Sequence, residues 1–373
     1  MLILSLLVLY ATSSQAQLLG AQTQSKQPLP HRVLSEKVNE NTVTIVSGNP
    51  NGTLLYLAYD LSAVLDKKDE LRILPVVGKG AYQNVVDVLH LKGVDLGITQ
   101  SNIIAHMRNT GEVGAGVERR IAYIAQLYTA EMHILAGAGI DKIEDLNGKP
   151  VNFSDAGSGT QFATRQIFGL LGIKPKEVNM GQSDAYLKMR TGEVAATIIT
   201  AGKPVGAFSK FKLEPGMKLL EVPYREALEK DFFPGQISST DYPNLLKSGS
   251  SVDTVSFSIV LISYNWPRNT ERYRRVAKFV NAFFDHFDQF RKPPRHKTWR
   301  STNLAAPVQG LQRFPAAEDW LKQSLAKSGA STGSGIDPVL ARAQAARAAP
   351  NDPERQERLF RRFLEWSKKY GGN

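Results

Sequence analysis

The stretch Asp155-Ala156-Gly157-Ser158-Gly159-Thr160-Gln161-Phe162 closes a short apolar run, Pro150 to Phe153, and opens a helical pattern that continues through Leu171. A strand that breaks at glycines and restarts as a helix leaves backbone N–H groups unpaired at the positive end of the helix dipole. Two hydroxyls stand beside them here, which makes a seat for an anion. The same residues also suit a plain helix cap, in which Ser158 serves stability alone. The surrounding chain weighs toward the seat.

On both sides of that stretch strand-like runs alternate with helix-like ones. Val43–Val46 precedes a helix to Leu65, Leu71–Val77 a helix from Tyr82, and Val94–Ile98 a helix from Ser101. This rhythm predicts an α/β fold with a mainly parallel sheet covered on both faces. Ile121–Tyr128 reads as a strand, and Met132–Ala136 starts a second series that runs through Val151–Phe153, the helix to Leu171, Ala195–Thr200 and Leu219–Val222. After it come a strongly β run, Val255–Tyr264, and a helical spacing of Tyr273, Val276, Phe279, Val280, Phe283 and Phe284 within Asn269–Phe290. The expected organisation is a first lobe over 41–127 plus 233–325, with a second lobe, 128–232, inserted between its halves. Residues 17–40 read as a linker. Ser328–Gly335 is a Ser/Gly-rich joint, and 328–373 a basic helical tail whose Leu359, Phe360, Phe363, Leu364 and Trp366 form an apolar stripe that packs on the body.

At 373 residues, with 42% hydrophobic and 22% charged residues, the composition is that of a globular protein able to build its core without staples. The absence of cysteine removes disulfides, thiolate catalysis, iron–sulfur clusters and cysteine zinc sites. The apolar run Leu2–Tyr10 is too short to span a bilayer, and Ser14 and Ala16 suit a signal-peptidase cut before Gln17, so residues 1–16 read as an export signal, although no Lys or Arg precedes the run. Periplasmic residence follows, with a membrane anchor if the signal is retained. The net charge of +11 is uneven: residues 1–263 hold 25 Lys+Arg against 25 Asp+Glu, and the remainder 21 against 10. A basic end of this kind meets an acidic partner or a lipid surface, or is simply a set of solvated helices.

Three more loops follow strands and open helices: Gly48-Asn49-Pro50-Asn51-Gly52-Thr53, Gly78-Lys79-Gly80-Ala81-Tyr82-Gln83-Asn84, and Thr99-Gln100-Ser101-Asn102. Ligands of open α/β sheets settle outside the carboxyl ends of strands, so these loops and Gly157–Thr160 can face one cleft. These motifs, with Val94-Asp95-Leu96-Gly97-Ile98-Thr99-Gln100-Ser101 and Ala201-Gly202-Lys203-Pro204, resemble the TAXI-type solute-binding subunits of TRAP transporters over residues 41–325. The resemblance implies a two-lobed type II periplasmic binding protein fold with a hinge. It also implies closure on a small anionic solute, a dicarboxylate or acidic amino acid, and delivery to a TRAP-type membrane permease. Ligand-binding positions carried over are Gly52, Thr53, Gly80, Asn84, Gln100, Ser101, Ser158, Gly159, Thr160, Gly202 and Pro204, and Asn51 beside Gly52 is a further candidate. Tyr56 stands in for the aromatic residues that follow the family's threonine in the first loop, and Lys79 replaces a glycine. Lys79 and Lys203, each after a strand on a different lobe, invite a joint contact with a bound carboxylate.

No G-x-S-x-G, G-x-x-x-x-G-K-[ST] or H-E-x-x-H motif occurs, and the six histidines form no metal-ligand spacing. The expectation is therefore a monomeric binding protein with no cofactor, metal, catalytic residue or nucleic-acid partner. Two alternatives stand beside it: a non-transport sensor acting through a membrane partner, and an enzyme on the same scaffold using Ser158 or His133.

Overall fold

The computed structural model describes residues 31–48, 52–67, 70–211 and 213–328, together with 342, 345, 354 and 356–361. The chain divides into two units, Met1–Asn39 and Glu40–Asn373. The described part of the first is helical: α1 (His31–Glu40) carries no buried residue and exposes Val33, Leu34 and Val38. The expected linker over 17–40 is thus corrected at its end, where good helix formers such as Leu34, Glu36 and Lys37 outweigh the weak apolar periodicity. The signal-peptide reading of residues 1–16 lies outside the described residues. So does most of the basic tail, whose described residues are helical, with Leu359 and Phe360 buried.

The second unit begins with β1 (Thr42–Val46), α2 (Thr53–Leu65), β2 (Arg72–Val76), α3 (Ala81–His90), β3 (Leu96–Gln100), α4 (Ser101–Thr110) and α5 (Val117–Arg120). Then follow β4 (Ile121–Ala136), β5 (Pro150–Asn152), α6 (Gly159–Leu171), β6 (Lys176–Val178), α7 (Gln182–Arg190), β7 (Ala196–Ala201), α8 (Gly206–Lys210) and β8 (Lys218–Leu219). The last elements are β9 (Phe233–Ser238), β10 (Ser251–Tyr264), α9 (Glu271–Asp285), α10 (Phe287–Phe290), β11 (Gln312–Arg313) and α11 (Pro315–Ser328).

The strands form one sheet in the order β2-β1-β3-β10-β4-β7-β5-β6, with β8 and β11 beside β4, and β9 beside β10. Two long strands pass through both arms. The early half of β4 pairs antiparallel with the late half of β10, which also pairs with β3; the late half of β4 pairs with β7, and the early half of β10 with β9. Register shifts at Ile259/Val260 and Leu261/Ile262 bend the pair where one arm passes into the other. The sequence reading of two separate strands, Ile121–Tyr128 and Met132–Ala136, is corrected to the single strand β4.

The core follows from the strands. Val43, Ile45, Leu96, Ile98, Ile124 and Leu261 are fully buried and packed with Leu57, Leu61, Val276 and Phe279 of the covering helices. In the second arm Leu135, Phe208 and Leu219 pack with Ile237, Tyr242 and Leu245. Outside the sheet, Trp299 is buried among Phe283, Phe287 and Phe290, and its Nε1–H donates to Asp60 Oδ2 at 2.9 Å. Asp60 also accepts from Arg295 and from the His296 backbone, which ties residues 295–299 to α2.

Candidate functional site

The glycine loops of the two arms meet. Gly80 has φ +134, and a Cβ there would lie 2.4 Å from the Gly157 carbonyl oxygen, while a Cβ on Gly159 would lie 2.1 Å from Gln100 Nε2. Asn102 Nδ2 donates to Gln166 Oε1 at 3.0 Å, and Phe162 contacts the rings of Tyr82 and His106 at 5.7 and 5.0 Å. The first turns of α6 are thus packed closely against the loops and α4 of the other arm. Ser158 caps α6 by accepting from Gln161 N–H at 3.2 Å, and Thr160 Oγ1 accepts from Thr200 N–H at 3.0 Å. Gly80→Ala is expected to force these loops apart at a cost of about 2 kcal/mol or more, read by urea unfolding. Gly93→Ala is the control, because Gly93 also has positive φ but nothing within 4 Å of an added Cβ. Equal losses in the two variants would refute the close approach.

A cavity of about 670 Å³ lies beyond that junction. Its floor is the polar side of the long strands: Gln126, Thr129 and Glu131 of β4, and Asp253, Thr254, Ser256 and Ser258 of β10. One wall is Ser101, Ala105 and Arg108 of α4 with Pro307–Gln309; the other is Glu221, Pro223, Tyr224, Lys230, Asp231 and the β9 strand. Ser101 Oγ accepts from the Ser258 N–H at 3.2 Å, which joins the α4 wall to the floor.

Of the expected ligand-binding residues, Ser101 and Lys203 line this cavity. Lys79 is exposed and does not line it, so the two lysines do not converge there. Asn84 is buried and donates to the Ile98 carbonyl at 2.7 Å, a bond that fixes α3 on β3. Gln100 ends β3 and packs on Gly159. Gly52 and Thr53 start α2 without a side-chain cap, Gly202 lies against the Tyr128 ring, and Pro204 follows a cis peptide. Tyr56 is 54% exposed and stacks on His296. Asn51 lies outside the described residues.

Lys203 Nζ is 3.7 Å from both Glu131 Oε1 and Asp241 Oδ2, and donates to the Gln236 carbonyl. Glu131 is 8% exposed; burial, only partly offset by Lys203, pushes its carboxyl up to about 7. Behind it His133 is fully buried, and desolvation lowers its imidazole to about 4. Its Nδ1 bonds the Glu131 carbonyl at 2.9 Å and its Nε2 the Tyr242 hydroxyl at 2.9 Å, while Val205 N–H donates to that hydroxyl at 2.6 Å. A neutral ring protonated at Nδ1 satisfies all three bonds.

The cavity carries three cationic side chains, Arg108, Lys203 and Lys230, against four carboxylates, Glu131, Glu221, Asp231 and Asp253. Lys203 is matched by Glu131 and Asp241, whereas Arg108 has no ion pair among the described residues and Lys230 reaches only Asn109 Oδ1 at 3.5 Å. Sequence reasoning missed the floor because it sits on strands instead of turns. The available signal was the alternation Thr254, Ser256, Ser258 inside an apolar run.

Two arms built on shared long strands, with a polar cavity where they join, define the two-lobed type II solute-binding fold. The model of the NMT1-like family matches residues 45–291, well over half of the chain, and the protein belongs to that family. Among solved structures it is similar to the periplasmic aliphatic sulphonate binding protein SsuA of Escherichia coli, with 18% identity over 88% of this chain and 92% of that one and a TM-score of 0.39. It is also similar to an ancestral arginine-binding protein bound to arginine, with 14% identity over 67% of this chain and 96% of that one and a TM-score of 0.41. No helix among the described residues is long and apolar enough to cross a membrane.

Proposed function

We propose that the protein is a periplasmic solute receptor that holds one small polar molecule in the cavity over β4 and β10 and passes it to a TRAP-type permease. The observation that carries this reading is the cavity of about 670 Å³, walled by α4 from one arm and β9 from the other, a size suited to a metabolite. We place the solute's anionic end at Arg108 and Lys230. The floor carboxylates Glu131 and Asp253 suit an amino or hydroxyl group, so an acidic amino acid fits better than a dicarboxylate. Capture without chemistry is supported by His133 and Ser158, whose polar atoms already serve the fold.

The lobe division, 41–127 plus 233–325 and 128–232, belongs to the same proposal. The packing of Ile237, Tyr242 and Leu245 against Leu135 and Phe208 argues for moving the return to the first lobe to near Val255.

In a thermal-shift series with acidic amino acids, dicarboxylates and neutral amino acids, the first group is expected to give the largest stabilisation, by mass action on the folded state. Arg108→Ala should weaken that binding by about tenfold or more, as loss of a charge-assisted contact. No shift with any small anion, or an unchanged shift in the variant, would count against the reading.

A further inference from the structure

A second surface, none of whose residues lines the cavity, is built from the outer side of α2 and residues 291–300. Arg291, Lys292, Arg295, Lys297 and Arg300 place five cations in ten residues, and the one acid in 286–304 is Asp288. Arg295 is paired with Asp60, and Arg291 lies over the Phe287 ring at 5.2 Å. Lys292, Lys297 and Arg300 are exposed, and their side chains have no hydrogen-bond or ion-pair partner among the described residues. Beside them Tyr56 and Tyr59, each 54% exposed, project from α2, and the stacking of Tyr56 on His296 places the tyrosines and the basic segment side by side.

We infer that this surface docks the protein on an anionic phospholipid membrane. Tyrosines with an apolar ring and a polar tip suit the headgroup level, and nearby Lys and Arg draw on the negative surface potential. The free lysines favour lipid over a protein partner. Side chains held in no fixed geometry lose entropy when a stereospecific partner immobilises them, whereas a diffuse sheet of charge attracts them without fixing any one position. Asp60 is consumed by Arg295, His296 and Trp299, so it neutralises Arg295 and leaves the charges of Lys292, Lys297 and Arg300 standing.

The test is co-sedimentation of the full chain with vesicles of phosphatidylglycerol mixed with phosphatidylcholine, against phosphatidylcholine alone, at low and high salt. The expected result is salt-sensitive binding to the anionic vesicles, weakened about a hundredfold in K292E/K297E/R300E, whose thermal midpoint stays that of the native chain. Equal binding by the triple variant would assign the attraction to another part of the chain and overturn the proposal. Binding to neutral vesicles alone, or to a soluble acidic polypeptide but not to vesicles, would overturn it as well.

Discussion

Replacing Trp299 by alanine is expected to destabilise the folded chain by about 4 kcal/mol in urea or thermal unfolding. The indole is 0% exposed and packs on three phenylalanine rings, so its removal leaves a cavity that rigid neighbours cannot fill. It also removes one of the three donors to Asp60, although Arg295 and the His296 N–H remain. Trp299→Phe keeps most of the packing and loses the N–H, and should cost about 1–2 kcal/mol. A loss below about 1 kcal/mol in the alanine variant would mean that the ring cluster does not anchor residues 295–299.

Glu131→Gln is expected to expose a pH dependence that the native chain hides. Glu131 titrates near 7 when folded against 4.5 for the free group, so the folded state holds the extra proton in that window and its contribution to stability falls as pH rises. His133 titrates near 4 when folded against 6.5, so the unfolded state holds the extra proton and stability rises over nearly the same range. The two slopes have opposite sign and largely cancel. With Glu131 replaced, the variant's stability relative to the native chain should climb by about 3 kcal/mol between pH 4.5 and 7, at about 1.4 kcal/mol per pH unit. Parallel unfolding curves across that range would show that Glu131 is ionised in the fold throughout.

The strand–helix rhythm from Val43 to Ser101 was legible because each buried parallel strand is a short apolar run ended by glycine or a polar cap, a local signal. β4 was harder. Gln126, Thr129 and Glu131 interrupt its apolar run because they face the cavity, and the same polar residues that make the floor make the strand look like two. β3 extends to Gln100, so Thr99 and Gln100 belong to a strand and not to the loop expected after Ile98. Of the expected loops, those at Gly80 and Gly157–Gly159 meet across the arms, where their small residues serve close backbone approach. The cavity is assembled from positions between Ser101 and Gln309, and no local pattern reports such distant neighbours.

The two bent strands have a mechanical implication. Since β4 and β10 both link the arms and carry the cavity floor, rotating one arm against the other would twist the very backbones that aim Thr129, Glu131, Ser256 and Ser258. On the proposed reading, occupancy of the cavity and interarm angle would be one variable, and a substitution that stiffens either strand near Ile259 would change both together.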